Sequence, residues 1–325
     1  MPQKVLVTGA AGFIGSHLCE SLLARSFGVV GVDCFTSNYD VRIKREHVRH
    51  LQESKDFSLV EASLNDVDLD GLLADVDCIF HLAAQPGVRQ SWHERFDDYV
   101  DCNIRATHKL CESARKQDIR RFVFASSSSV YGNTAQLPMS ELHPTHPVSP
   151  YGVTKLCSED LCLLFSRNFG LPVVALRFFT VFGPRQRPDM AFHRFIKSAL
   201  EGRSISVFGT GAQTRDFTFV SDVVDAILLA MDYSGSESIF NIGGGKRITL
   251  NSALDLLAEV LPHEVDVRYE EPAIGDVTHT YADIGLARRE LGYSPQTSID
   301  EGLAREVEWV QTLRKRLKSY YREGF

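Results

Sequence analysis

Apolar positions in the first 180 residues alternate between two rhythms. Short runs with few polar interruptions predict strands at Lys4–Thr8, Val29–Asp33, Phe57–Glu61, Cys78–His81, Phe122–Ala125 and Val173–Arg177. Most of the intervals between them carry the spacing of amphipathic helices. Strands apolar on both faces and joined by helical crossovers predict a doubly wound α/β architecture, a parallel sheet covered on both sides. Ligands of such sheets sit beyond the carboxyl ends of the strands. After residue 180 the rhythm breaks into loops rich in Arg, Pro and Gly, then shorter elements. "SDVVDAILLAMDY" (221–233) predicts an amphipathic helix and "SIFNIGG" (238–244) a strand rejoining the first sheet. Residues 1–180, with about 221–245, are therefore assigned to the sheet domain. Residues 181–220 and 246–325 are assigned to a smaller α/β substrate-binding domain.

Within this pattern "KVLVTGAAGFIGSHLCESLLA" runs strand, glycine loop, helix, with glycines at Gly9, Gly12 and Gly15. The first allows a tight turn, the second lets a pyrophosphate approach the backbone, and the third lets helix and strand pack closely. The helix N-terminus favours the anion. The next strand ends in Asp33, a carboxylate able to accept both ribose hydroxyls of an adenosine and to repel a 2′-phosphate. Together these predict a Rossmann-type domain that binds NAD in preference to NADP.

"HPVSPYGVTKLCSEDL" (146–161) predicts a helix start, with Ser149 as N-cap and Pro150 at the first helical position. Tyr151 and Lys155 then share one helical face. Before them, the strand Phe122–Ala125 delivers four serines, Ser126 to Ser129, to the ligand-binding edge of the sheet.

Composition narrows the partners. The 325 residues, 44% hydrophobic, suffice for a large core in one or two domains, and a net charge of −7 argues against nucleic acid. The basic tail "LRKRLKSYYREGF" reads as the solvated face of a last helix. No apolar run approaches the length that crosses a membrane, and the strand-like segment near the start leaves no room for a signal peptide. Seven scattered cysteines without a C-x-x-C pair fit free thiols in a reducing cytoplasm. "HVRH" and "HPTHP" lack supporting ligands, so no metal site is expected.

The G-x-x-G-x-x-G spacing with Tyr-x-x-x-Lys resembles the short-chain dehydrogenase/reductase superfamily. "HLAA" (81–84) and "NIGGG" (241–245) place the resemblance in its extended branch, the NAD-dependent epimerases and dehydratases of nucleotide sugars. The resemblance implies that Tyr151 is the acid/base. It also implies that Lys155 lowers the Tyr151 pKa and holds the nicotinamide ribose, and that a serine assists. Alignment on "VYG" places that serine at Ser127, with Ser126 as the alternative. A free phenol titrates near pH 10, and a neighbouring ammonium favours phenolate. Cofactor contacts implied by the resemblance are Gly9, Gly12, Phe13, Ile14, Gly15, Asp33, Asn38, Leu64, Leu82, Ala83, Ala84, Asn103, Tyr151 and Lys155. Ser63 fills a slot where many relatives carry Asp. Asn103 lies in an apolar helical stripe of Phe96, Val100, Thr107 and Leu110, where a buried amide needs partners.

On the substrate side, "RFFTVFGPRQRPDMAFHRFIK" (177–197) resembles the loop closing over a nucleotide-sugar, and Met190 belongs to it. Arg185, Arg187 and Arg215 are expected to bind a diphosphate and a further anion. Phe208 or Phe195 is expected to stack a uracil, and Asp276 to accept its ribose hydroxyls. These blocks together are similar to UDP-glucuronate 4-epimerases. For such a substrate Ser128, Ser129, Thr180 and Arg187 are expected to hold the C5 carboxylate, with Arg89 a further substrate contact. Dehydratases of the branch carry an Asp-Glu pair at the serines, and UDP-glucuronate decarboxylases usually a Glu; this chain has neither. UDP-glucose 4-epimerase and UDP-glucuronate decarboxylase are the rival activities, and an NAD-sensing binding protein the non-enzymatic one. The apolar arc Leu161, Leu163, Leu164 and Phe165, with family habit, implies a homodimer.

Overall fold

The computed structural model describes residues 3–92, 95–262, 265–271 and 275–317. Its centre is a seven-stranded, all-parallel sheet. The six expected strands form at Lys4–Thr8 (β1), Gly28–Asp33 (β2), Phe57–Glu61 (β3), Cys78–His81 (β4), Arg121–Ser127 (β5) and Val173–Phe178 (β6). The seventh, Ile239–Ile242, pairs with β6. The order is Ile239–Ile242, β6, β5, β4, β1, β2, β3, so the chain reverses direction across the sheet between β1 and β4. A crevice opens beyond the strand ends at such a reversal. Val5, Leu6 and Val7 of β1 and Ile79 and Phe80 of β4 are fully buried, as residues of a two-sided sheet must be.

β5 is longer than the apolar run suggested. Ser126 and Ser127 continue its ladder opposite Arg177 and Phe178, so only Ser128 and Ser129 enter the turn that follows. The helix Val220–Asp232 covers one face of the sheet. Three small sheets lie outside it. Val181–Phe182 pairs with Thr218–Phe219, Thr214–Asp216 with Arg247–Thr249, and Ile205–Phe208 with Val267–Glu270. The last helix, Ile299–Arg316, buries Leu303, Val307, Val310 and Leu313. Its basic end is partly spent: Arg316 pairs with Glu46 at 2.5 Å and Arg314 donates to the Leu200 carbonyl. Residues 318–325 of the tail lie outside the described residues.

The stripe around Asn103 does not run straight. Helix Phe96–Tyr99 passes into a widened π turn, Val100–Arg105, before helix Ala106–Ala114. The widened turn rotates Phe96 towards solvent, while Tyr99 and Asn103 are buried.

Candidate active site

The glycine loop is built for close approach. Gly9 sits at φ +72, and a Cβ there would lie 2.9 Å from the Ala83 amide; a Cβ on Gly15 would lie 2.1 Å from the Gly9 carbonyl oxygen. Gly12 caps helix Phe13–Ala24 without a side chain, leaving the helix's first amides open towards the cleft. Asp33 closes the far end. Its Oδ2 accepts from Ala11 N at 3.1 Å and its Oδ1 from Phe35 N at 2.8 Å, which fixes the carboxylate while each oxygen keeps a free lone pair. The buried Tyr39 hydroxyl, also on this cleft, has no hydrogen-bond partner among the described residues. A side-chain-free anion cradle, a fixed ribose-binding carboxylate and an unspent hydroxyl fit a dinucleotide.

Gly9, Gly12, Phe13, Ile14, Gly15, Asp33, Asn38, Ser63, Leu64, Leu82, Ala83, Ala84, Tyr151 and Lys155 all line this one cleft. Asn103 does not. Its Oδ1 accepts from Gln85 N at 2.7 Å, and its Nδ2 donates to Gln85 O and to Thr154 Oγ1. The amide is spent tying the loop after β4 to the helix of Tyr151.

That helix, Pro150–Phe169, begins as expected: the Ser149 hydroxyl accepts from Gly152 N at 3.1 Å. The Ser127 hydroxyl lies near enough to the Tyr151 phenol to favour its ionised form. Ser126 instead donates to Glu159 at 2.5 Å, within a buried pair in which Arg177 grips both Glu159 oxygens. The two serines are thereby distinguished.

The charges around Tyr151 differ from expectation. Burial raises the phenol's pKa, and the groups opposing that rise are the Arg187 guanidinium and the Ser127 hydroxyl. Lys155 points its ammonium at the Ala125 carbonyl, 2.5 Å away, and over the Phe124 ring; burial lowers its pKa to about 8. Arg187 lines the cleft while pairing with Asp189 at 2.9 Å.

A second hollow gathers Ser128, Ser129, Thr180, Arg215 and Asp276. Arg89 lies at its rim, 2.7 Å from Asp276 and stacked on the Phe208 ring at 4.1 Å. Phe195 is elsewhere. Helix Ala191–Leu200 turns it into the core, 4% exposed, so of the two aromatic candidates only Phe208 reaches the hollow's surroundings. Arg185 is also turned away, pairing with Glu20 of the first helix at 2.8 Å. Met190 caps helix Ala191–Leu200, and its amide donates to the Arg187 carbonyl at 3.0 Å.

Residues 5–243 match the model of the NAD dependent epimerase/dehydratase family. The chain belongs to this family. It is 44% identical over 314 residues to an uncharacterized UDP-glucose epimerase, YtcB, of Bacillus subtilis, covering 96% of this chain and 99% of that one. It is 39% identical to UDP-glucuronate 4-epimerase 1 of Arabidopsis thaliana, covering 94% of this chain and 76% of the relative. The crystal structure of UDP-glucuronic acid 4-epimerase from Bacillus cereus, in complex with UDP-glucuronic acid and NAD, superposes with a TM-score of 0.92. The identity there is 40%, over 96% of this chain and all of that one.

Three further side chains of this family member's site were not among the expected site residues. Tyr99 packs edge-on against Tyr151, ring centroids 6.3 Å apart, and donates to the Gly87 carbonyl at 2.8 Å. Lys44 is buried in the cofactor cleft and donates to Thr36 at 3.0 Å. His81 joins Thr8 and Thr107, at 2.8 Å each. Thr107 donates onward to the Asn103 carbonyl, so His81 carries its proton on Nε2 and accepts from Thr8 at Nδ1. This chain of bonds locks the ends of β1 and β4 beside the glycine loop.

Proposed function

We propose that the protein inverts C4 of UDP-glucuronate to give UDP-galacturonate through a transient 4-keto sugar, with NAD held throughout the cycle. One observation carries the reading. The Tyr151 phenol stands in the dinucleotide cleft with the Ser127 hydroxyl favouring its ionised form, and the serine turn continuing from Ser127 lines a hollow with Thr180, Arg215 and Asp276, with no carboxylate among its serines.

Tyr151 takes the C4-hydroxyl proton, with Ser127 bridging phenol and sugar. NAD, cradled by Gly9 to Gly15 and Asp33, supplies the acceptor for the C4 hydride and then its donor. Tyr151 finally returns the proton to the C4 oxygen. Arg187 and Ser127 favour the phenolate against its burial, and Lys155 anchors the helix start to the end of β5. Ser128, Ser129, Thr180 and Arg187 hold the C5 carboxylate. A 4-keto uronate is a β-keto acid, which loses carbon dioxide once the breaking bond aligns with the carbonyl π system. Holding the carboxylate out of that alignment separates epimerisation from decarboxylation, and small hydroxylated side chains leave space for the ring to turn over.

Arg215 and Asp276, with Arg89 and Phe208, are assigned to the nucleoside diphosphate. The sheet domain, 1–180 with about 221–245, holds NAD, and 181–220 with 246–325 holds the nucleotide-sugar. Val153, Leu164 and Phe169 expose 49%, 48% and 54% on helix Pro150–Phe169, which supports a homodimer paired through this helix; a monomeric mass in solution contradicts it. All seven cysteines are free thiols, and no described helix is long and apolar enough to cross a membrane; the thiols support a cytoplasmic location.

Product identification by NMR after incubation with UDP-glucuronate tests the activity. A galacturonate of unchanged mass, formed without added reductant, is expected. A pentose, or NADH accumulating with turnover, overturns the reading.

A further inference from the structure

The loop following Phe182 carries two arginines that leave it in opposite directions. Arg187 enters the cleft beside Tyr151 and Lys155. Arg185 turns outward, with its backbone at φ +67, a left-handed conformation uncommon for any residue but glycine.

What holds it is the first helix, whose N-terminus forms the floor of the dinucleotide cleft. Arg185 Nη2 lies 2.8 Å from Glu20 Oε2. One turn earlier, His17 Nε2 lies 2.8 Å from the Pro184 carbonyl. That oxygen can only accept, so the His17 proton sits on Nε2. Burial and Arg185 push the His17 pKa down to about 4, so the ring is neutral. Glu20 also takes His50 Nε2 at 2.5 Å. Burial works against the Glu20 charge, yet Arg185 and, after it, His50 keep its carboxyl below the usual range. Two consecutive loop residues, Pro184 and Arg185, are thus fastened to the helix, and Arg187 follows at once.

We propose that Glu20, His17 and Arg185 are positioning residues: they staple the nucleotide-binding helix to the substrate loop and so set where the Arg187 guanidinium stands relative to the Tyr151 phenol. The inference rests on Tyr151 as the proton-transfer group. The charged and titratable groups facing Arg187 are Asp189, Tyr151, Tyr39, Lys44 and Tyr99. Those facing Glu20 are Arg185, His50 and His17, and His47 feels both Arg185 and His17.

The test is the pH profile of kcat/KM for UDP-glucuronate in the NAD-loaded enzyme, with wild type, Glu20→Gln, Arg185→Gly and Arg187→Gln. Glycine accepts the left-handed backbone, so Arg185→Gly removes the ion pair without adding strain. The cationic nicotinamide that the glycine cradle would hold adds to Arg187 in favouring the phenolate, so in the NAD-loaded enzyme activity is expected to rise with pH through a phenol pKa below that of Lys155. Loosening Arg187 therefore moves the ascending limb to higher pH, by about one unit when the charge itself is lost in Arg187→Gln. Glu20→Gln and Arg185→Gly are expected to move the limb the same way, by a smaller step, with a raised KM and unchanged NAD content. The double variant Glu20→Gln/Arg185→Gly is expected to be no worse than either single change. An unmoved limb and KM in folded, NAD-loaded variants overturns the proposal. If Arg185→Gly fails to fold, Glu20→Gln and His17→Gln decide by the same readout. Tyrosinate absorbance, taken as the difference from each protein's Tyr151→Phe counterpart, reads the phenol without turnover. Failure of the staple is thereby distinguished from failure of the functional reading.

Discussion

Lys155 donates its ammonium proton to the Ala125 carbonyl at 2.5 Å, not to the tyrosine one turn before it. The bond fastens the start of helix Pro150–Phe169 to the end of β5, where the serine turn begins. Burial lowers the Lys155 pKa to about 8, with Cys162 and Glu159 opposing the shift. The group is cationic at neutral pH and loses its proton as pH rises through that value. The account therefore expects kcat/KM to fall on the alkaline side near pH 8. In Lys155→Arg, whose guanidinium does not titrate there, that descending limb should move upward out of the range, at reduced rate. An unchanged limb in Lys155→Arg assigns it to another group.

Replacing Tyr151 by Phe removes the proton-transfer group and leaves the glycine cradle and Asp33 intact. Bound NAD, measured by release on denaturation, should match wild type. Turnover should fall by about 10²- to 10⁴-fold, the usual contribution of a positioned acid/base. Substantial residual epimerisation contradicts the role given to the phenol.

The features legible in the sequence were those set by local rules. Ser149 and Pro150 announced a helix start because capping and a fixed φ act within one turn, and the structure shows the Ser149 cap. The glycine loop was legible because missing side chains at fixed spacing leave few alternatives. The direction of Arg185 was not: it depends on a left-handed backbone at that residue and on Glu20, far away in the chain. Nor was the core position of Phe195, which follows from how helix Ala191–Leu200 is rotated against its neighbours. Asn103 was expected on the cofactor from the resemblance, and as a buried amide it needs partners. Gln85 and Thr154 supply its partners within the protein instead. Tyr99 and Lys44 sit on ordinary-looking segments, and His81, though it opens the "HLAA" block, gains its partners Thr8 and Thr107 only from strand order.

Thr180, Ser128 and Ser129 are assigned to the uronate carboxylate. Thr180→Val keeps the shape and removes the hydroxyl, so it should raise KM for UDP-glucuronate and release a fraction of UDP-pentose. Mass analysis of the product mixture reads both. A raised KM without pentose would place Thr180 in binding alone.

His47 is buried, with Nδ1 3.1 Å from the Ala11 carbonyl and Nε2 without a hydrogen-bond partner among the described residues. Burial, then Arg185, lowers its pKa from 6.5 to about 3. As pH falls below the ordinary histidine range, the unfolded chain binds a proton that folded His47 refuses. Its contribution to stability therefore declines from about pH 6.5 towards 3, by about 1.4 kcal/mol per pH unit well inside that window. Urea unfolding across the window should show a shallower acid decline in His47→Gln than in wild type. Equal slopes contradict the assignment.

The central claim is that one carbon is dehydrogenated and rehydrogenated without its hydride leaving the protein. UDP-glucuronate deuterated at C4 tests it most directly, mixed with unlabelled substrate of distinguishable mass and turned over in ordinary water. The account predicts UDP-galacturonate carrying deuterium at C4, with no label lost to solvent. Label washed out to water, or product that has lost carbon dioxide, would contradict it.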